Sequence, residues 1–448
     1  MAVCEKKPQN SCTQEQIAYF CGMKQLTLFA CLLLWPLCSL LAQPNITQNI
    51  IAGRRNSPEQ QQKPYVILIS ADGFRYDYAA KYQCEHLLQL AQQGVQAQGL
   101  LPSFPSKTFP NHYTLVTGLY PAHHGLINNS FYDPKHQGYY TISNPKVVRD
   151  SSWYGGKPLW VVAEQNQMLS ASFYWPGSEA AIQGVRPSYY YNYSEAIGME
   201  QRIQAVVDWL NLPEDRRPHL ITFYMPEVDH AGHSYGPEAP ETGAAARFVD
   251  ASLKKLTEAV AATGLPVNFL FVADHGMVLS DVEKTMPTPA VDTAKFVVSK
   301  GDIIVELYAK DQSAKTIQQA YKTLKKNRKG YQVYLKNKVP SHLHYSAKDD
   351  SLGRMGDIVL IAEAPKIFWD LKTKPSPGHH GYDPQHVKDL QATFYAWGPA
   401  FKSGVKLPVF ENVHVFPIIT QLLGLKYNFA IDGNRKVAEQ VLVPTSVQ

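Results

Sequence analysis

Three short runs of apolar residues, Val66–Ile69, Leu220–Tyr224 and Val267–Val272, each lead directly into acidic or imidazole side chains. This recurrence limits the fold more than any other feature. None of the runs alternates with polar residues, so each suits a strand buried on both faces, as in a parallel sheet covered by helices. The first is bounded by Pro64 and Gly73 and delivers Asp72; the second enters Pro226-Glu227-Val228-Asp229-His230-Ala231-Gly232-His233; the third ends in Asp274-His275-Gly276. A fourth loop, Gly378-His379-His380-Gly381-Tyr382-Asp383, precedes the apolar run Thr393–Trp397. Open α/β sheets bind ligands outside the carboxyl ends of their strands, so these groups are expected to converge on one edge. A single Asp-Gly pair often only makes a turn, and a single histidine is commonly a packing residue. Packing alone does not explain four recurrences at equivalent positions.

Helical spacing lies between the runs. Leu87, Leu88, Leu90 and Ala91 share a face that ends at Gly94, and Leu159–Gln165, Gln201–Leu210 and Phe416–Leu423 read as further helices. The expected class is α/β, with a mostly parallel central sheet flanked by helices on both faces. Residues 64–284 and 366–448 would form this catalytic domain. Residues 285–365 lack its motifs and mix a helix over Thr316–Lys326 with strand-like Asp302–Leu307 and Asp357–Ile361, which predicts a small inserted α+β subdomain placed like a cap.

Residues 43–63 are polar and rich in Gln and Asn, which reads as a linker. Residues 1–42 read as a leader, in which Met23-Lys24, the apolar run Leu26–Leu41 and Ala42 have the charge, length and small-residue end of a signal peptide, with Met23 as the expected start. The apolar run is short for a membrane span, so export without a stable span after cleavage is expected, an uncleaved anchor being the alternative. Five of the six cysteines precede residue 43 and only Cys84 follows, so the main body holds no internal disulfide. That favours a bacterial periplasm or medium over an animal cell surface. The formal charge of +5 is small for 448 residues, and no basic block is interleaved with aromatics, which argues against a nucleic-acid surface. No sequence feature sets an oligomeric state.

The stretch Leu101-Pro102-Ser103-Phe104-Pro105-Ser106-Lys107-Thr108-Phe109-Pro110-Asn111-His112 carries three prolines, so Thr108 belongs on a loop or at a helix start. A helix running to Gly118 would put Thr108 near its amino terminus, where exposed amides favour a phosphate. A threonine hydroxyl needs a neighbouring base or a metal to act as a nucleophile. Asp229 and His233, four apart, would share one face of a helical turn and can share a cation. Asp and neutral His suit hydrolytic zinc, and two metals about 4 Å apart clamp the oxygens of a phosphoryl transfer. Of His123 and His124, at most one is expected in the site, and Tyr189–Tyr191 are candidates for a stacking rim.

Asp72-Gly73, Lys107 through Tyr113 with Thr117-Gly118 and His124-Gly125, Asp229 with Gly232-His233, Asp274-His275-Gly276 and His380-Gly381-Tyr382-Asp383 together resemble the nucleotide pyrophosphatase/phosphodiesterase family of the alkaline phosphatase superfamily. The likeness runs over about residues 64–425 and is nearest to bacterial members that consist of the catalytic domain alone. It implies an alkaline-phosphatase-like fold and two zinc ions per chain, one held by Asp229, His233 and His380, the other by Asp72, Asp274 and His275 with Thr108 bridging towards it. It further implies Thr108 as nucleophile, Asn129 with the Thr108 amide as donors to a phosphate oxygen, and Phe109 and Tyr190 as a sandwich for a nucleobase. The implied reaction is hydrolysis of phosphodiester or pyrophosphate bonds in small nucleotides, releasing nucleoside 5'-monophosphate through a phosphothreonine. Alternatives on the same fold are a phosphomonoesterase, a sulfatase, or a phosphonate or lysophospholipid hydrolase. A metal-binding recognition domain without catalysis is the non-enzyme alternative. The same ligands also suit manganese or iron.

Overall fold

In the computed structural model, which describes residues 46–444, the apolar runs lie side by side as neighbours in one sheet. Its strands, in chain order, are β1 (Asn49–Ile50), β2 (Tyr65–Ala71), β3 (Val95–Ala97), β4 (Ser170–Phe173), β5 (Tyr189–Tyr191), β6 (Leu220–Met225), β7 (Val267–Val272), β8 (Phe394–Trp397) and β9 (Val405–Leu407). The spatial order is β1-β5-β4-β6-β2-β7-β8-β3-β9. Strands β5, β4, β6, β2 and β7 run parallel, while β1 and β8 pair antiparallel at either side of them. Every residue of β2, β6 and β7 is buried, as expected for central strands covered by helices on both faces. Among the covering helices, Val415–Leu423 packs on β2 and Glu85–Gln93 on β8, and the 22-residue helix Pro240–Ala261 packs on Glu85–Gln93. The folded unit described here comprises Gln48–Tyr193 and the chain from Ile197 onward.

Residues 49–63 correct the linker reading. β1 extends the sheet, and Asn56 is buried, its Nδ2 donating to the carbonyls of Glu214 and Arg217 at 2.8 and 2.7 Å and its Oδ1 accepting from the Leu169 amide at 2.7 Å. A polar side chain is buried here because backbone groups satisfy all its bonds, a state that composition does not distinguish from solvent exposure. The expected signal peptide over Met23–Ala42 lies outside the described residues. Among the described residues no helix is long and apolar enough to cross a membrane.

Within residues 285–365, strands Phe296–Ser299, Ile304–Ala309, Ile358–Ala362 and Tyr331–Leu335 form, in that order, a four-stranded antiparallel sheet. The helix Ala314–Asn327 buries Leu324 and carries Lys325 and Lys326 in its exposed last turn. Two buried cations tie this sheet to the rest of the fold. Arg354 donates to Asp133 and to the carbonyls of Gly125 and Trp153, and Lys107 Nζ donates to both oxygens of Asp302 at 2.7 and 2.8 Å.

Candidate active site

The register of the central strands builds the site. Ser70 of β2 lies opposite Tyr224 of β6 and Val272 of β7, so three adjacent parallel strands finish level with one another. Asp72 follows β2, Asp274-His275 follow β7, and the helix Glu227–Tyr235 follows β6 with Asp229 and His233 one turn apart. His380 comes after the two-residue strand Gly378–His379, which pairs with Val278–Leu279. This strand passes so close to the Glu227–Tyr235 helix that a Cβ on Gly378 would stand 2.1 Å from the Gly232 carbonyl oxygen, so only glycine fits there.

Thr108 is the first residue of the helix Thr108–Thr117, with Lys107 extended at its N-cap and Gly118 left-handed at its end. Pro110 sits in the first turn, where its missing N–H costs no helical bond. Buried Asn111 fixes the irregular loop before it: its Nδ2 donates to the carbonyls of Pro105 and Lys107, and its Oδ1 accepts from the Ser103 amide at 2.8 Å. Thr108 Oγ1 lies 3.3 Å from His275 Nε2, and Asn129 Oδ1 accepts from the Phe109 amide at 2.9 Å. That second bond turns the Asn129 amide nitrogen away from Phe109 and leaves it free to act as a donor.

The three histidines share one arrangement. Nδ1 of His233 contacts the Gly378 carbonyl at 2.7 Å, Nδ1 of His275 the Gly276 carbonyl at 2.9 Å, and Nδ1 of His380 the Ser106 carbonyl at 2.8 Å. A carbonyl only accepts, so each Nδ1 carries a proton, and in the neutral ring each Nε2 presents a lone pair inward. His233 Nε2 and His380 Nε2 face each other at 3.1 Å, and Asp229 Oδ1 lies 3.4 and 3.8 Å from them without a hydrogen-bond partner. Around His275 Nε2, Asp274 Oδ2 stands at 2.9 Å and Asp72 Oδ1 at 3.6 Å, and these two oxygens are also buried without a hydrogen bond.

Lone pairs facing carboxylate oxygens across such distances repel unless a cation lies between them. Tetrahedral zinc with bonds of about 2.0–2.2 Å separates its ligands by roughly 3.3–3.6 Å, and the separations in the two clusters, 2.9 to 3.8 Å, scatter about that range. The donor chemistry therefore fits two divalent ions. The charges agree. Burial, with Asp274 and Asp229 close by, pushes Asp72 well above the usual carboxylate range. Burial also pushes Asp274 up, but His275 and His112 more than offset it and hold Asp274 low. Burial and the neighbouring His275 keep His380 well below the usual imidazole range, so it stays neutral and able to ligate.

All seven residues expected at the metals, Asp72, Thr108, Asp229, His233, Asp274, His275 and His380, stand at this one sheet edge. His123 and His124 do not join them: His123 pairs with Asp432 at 2.7 Å, and buried His124 meets Thr114 Oγ1 at 3.1 Å. Phe109 is half-buried beside Asn129, but Tyr190 is 9% exposed within an inner strand, so it is poorly set to stack a base. The more open aromatic is Tyr193, 43% exposed, whose ring lies 6.3 Å from that of Tyr224.

Sequence reasoning gave no role to the residues that hold this set in place. Tyr224 donates to Asp72 Oδ2 at 2.6 Å. His112 bridges Ser70 Oγ at 2.8 Å and the Thr108 carbonyl at 2.9 Å, and its Nδ1 stands 3.3 Å from Asp274 Oδ2, so it ties the nucleophile's backbone to the ligand set. His112 was visible as part of the Thr108 motif, whereas no spacing in the chain marks Tyr224.

Comparison with known proteins gives a consistent picture. The family model described as type I phosphodiesterase / nucleotide pyrophosphatase matches residues 66–383. Mouse ectonucleotide pyrophosphatase/phosphodiesterase family member 1 is 33% identical over 388 residues, covering 82% of this chain and 42% of its own length. An uncharacterized pyrophosphatase/phosphodiesterase of Schizosaccharomyces pombe is 33% identical over 84% of this chain and 80% of its own. The chain thus spans less than half the length of the mammalian relatives it matches. Among solved structures, human ectonucleotide pyrophosphatase/phosphodiesterase 5 superposes with a TM-score of 0.78 at 26% identity, covering 84% of this chain and 99% of that one. An inactive variant of the murine protein, in complex with AMP, gives 0.77 at 26% identity over 85% and 100%.

Proposed function

Because the chain belongs to the type I phosphodiesterase / nucleotide pyrophosphatase family, we propose that it is an exported, zinc-dependent hydrolase of phosphodiester or pyrophosphate bonds in small nucleotides. The products are nucleoside 5'-monophosphates. The observation that carries this reading is the Thr108 hydroxyl, at a helix amino terminus, 3.3 Å from His275 Nε2 beside the clusters of unpaired buried carboxylate oxygens. AMP bound to the murine neighbour supports a nucleoside monophosphate as the product.

Asp229, His233 and His380 would hold one zinc, and Asp72, Asp274 and His275 the other. When bound, the ions stabilise the Thr108 alkoxide and the charge that builds on the phosphate oxygens. Thr108 Oγ1 attacks phosphorus in line, the alcohol or phosphate leaving group departs opposite, and a phosphothreonine results. Water then attacks from the vacated side and releases Thr108, so two inversions give net retention. The Thr108 amide and the Asn129 side-chain amide donate to a non-bridging oxygen as it gains charge. His112 and Asn111 fix the backbone on either side of the nucleophile, so its approach angle is set before substrate arrives. Phe109, together with Tyr193 in place of the expected Tyr190, would stack the base.

The deciding experiment measures zinc content and hydrolysis of p-nitrophenyl thymidine 5'-monophosphate on one preparation, before and after chelation and zinc restoration. Activity should vanish and return with the metal, and Thr108→Ala should keep the metal but lose turnover. A preference for p-nitrophenyl phosphate over the diester would move the assignment to a phosphomonoesterase.

A further inference from the structure

A second cluster of metal-ligating side chains lies away from the catalytic clusters, where the inserted sheet meets the core. His342, in the turn Ser341–Leu343 of the insert, places Nε2 2.8 Å from Asp383 Oδ2. His386 places Nδ1 2.7 Å from the same oxygen. Backbone bonds hold this pair of residues in place: Asp383 Oδ1 accepts from the Gln385 amide at 3.0 Å, and the Asp383 carbonyl accepts from the amides of His386 and Val387. The two rings meet at 88° with centroids 5.4 Å apart, so their edges converge on the carboxylate and their faces do not stack. All three residues also line a cavity of about 370 Å³, together with Tyr334, Glu363 and Tyr382.

We propose that His342, Asp383 and His386 form a third divalent-metal site, selective for transition ions such as Zn2+, Co2+ or Ni2+, that joins the insert to the core. Two imidazoles and one carboxylate are a borderline-soft donor set, which favours these ions over Mg2+ or Ca2+. The ligand atoms already lie within 4.8 Å of one another, so an ion replaces two N–H···O bonds after each ring hands its proton to its other nitrogen or to water. The three protein ligands leave one tetrahedral position for water or for a guest in the cavity. Asp383 lies three residues beyond His380 on the same segment, so occupancy here clamps the insert against the segment that carries a proposed catalytic ligand. This inference does not depend on the proposed reaction.

The test compares wild type with a His342→Ala/His386→Ala variant, both carrying their catalytic metals and both dialysed against micromolar zinc. His386 is largely exposed and His342 half-buried, so the variant keeps the fold, and its hydrolytic rate at saturating substrate stays at the wild-type level. Metal analysis should give one ion fewer per chain in the variant. Zinc titration, but not magnesium titration, should raise the melting temperature of wild type only. Equal metal content in the two proteins, or equal zinc-induced shifts in melting, would overturn the site and leave a hydrogen-bonded His-Asp-His turn.

Discussion

The pair Lys107–Asp302 joins the residue before the nucleophile to the inserted sheet, and its energetic weight follows from its surroundings. The Lys107 side chain is 7% exposed and that of Asp302 24%. Burial pushes the Asp302 carboxyl up, but Lys107 outweighs this and holds it below the usual range, so Asp302 is ionised at neutral pH. His379, 4.0 Å from Asp302, is held by burial to about 4 and adds no charge there. Removing one partner of a fully buried pair costs about 3–5 kcal/mol, because the other charge stays unpaired. Residual water access to Asp302 brings this down to about 2 kcal/mol for Asp302→Ala and for Lys107→Met. The double variant leaves no orphan charge and should lose no more than about 2 kcal/mol, which gives a coupling of at least about 2 kcal/mol in a double-mutant cycle. Urea unfolding of the four proteins measures the coupling. In each variant the maximal hydrolytic rate should fall about tenfold, equivalent to ~1.4 kcal/mol, with zinc content unchanged, because the Thr108 backbone loses its anchor. Additive single effects, with coupling under about 0.5 kcal/mol, would refute the claim that the ion pair acts as one unit.

Other outcomes follow from the same geometry. Tyr224→Phe removes the 2.6 Å bond to Asp72 and should weaken the ion held by Asp72, Asp274 and His275 by about 10–100-fold, read by competition with a chromogenic chelator. Glu306, buried against Tyr308 and Tyr345, is pushed up to about 7 by burial. Its folded value is raised, so its stabilising contribution is complete below about 4.5 and is lost as pH rises through about 7. Urea midpoints of wild type should therefore fall from pH 5 to pH 8, while Glu306→Gln should flatten that fall and gain about 1–3 kcal/mol at pH 8. Asn111→Ala should cut turnover without loss of metal, because three bonds that hold the loop before Thr108 disappear while every metal-facing atom remains.

The apolar runs at 66–69, 220–224 and 267–272 made the central strands readable, because a strand buried on both faces leaves no room for polar alternation. Their level carboxyl ends were not readable, because register is set by pairing between segments far apart in the chain, Val66 with Leu220 and Tyr65 with Val267. The ligand residues announced themselves by recurrence after those strands. Asn56 did not, because a polar residue whose partners are all backbone groups looks, in sequence, like any loop residue, and neither did the structural role of Asn111, whose Oδ1 also accepts from Asn412 far along the chain. The aromatic run 189–191 suggested a stacking residue, but Tyr189 and Tyr190 are both largely buried, and the more open ring is Tyr193, beyond the strand. His342 and Asp383 meet only through the docking of the insert, a contact for which no local signal exists.

The acceptors of the two catalytic clusters are drawn from Asp72 at one end to His380 at the other, with the intervening strands between them. No fragment of the chain holds a complete set, so an unfolded or nicked chain competes poorly for zinc. Free metal a thousandfold above its dissociation constant would thus deepen the native well by about 4 kcal/mol per ion. Subglobal openings that separate β2 from β7 must release an ion first. Lifetime and catalysis would then draw on the same ions, and chelation should expose the chain to added protease as it silences the site.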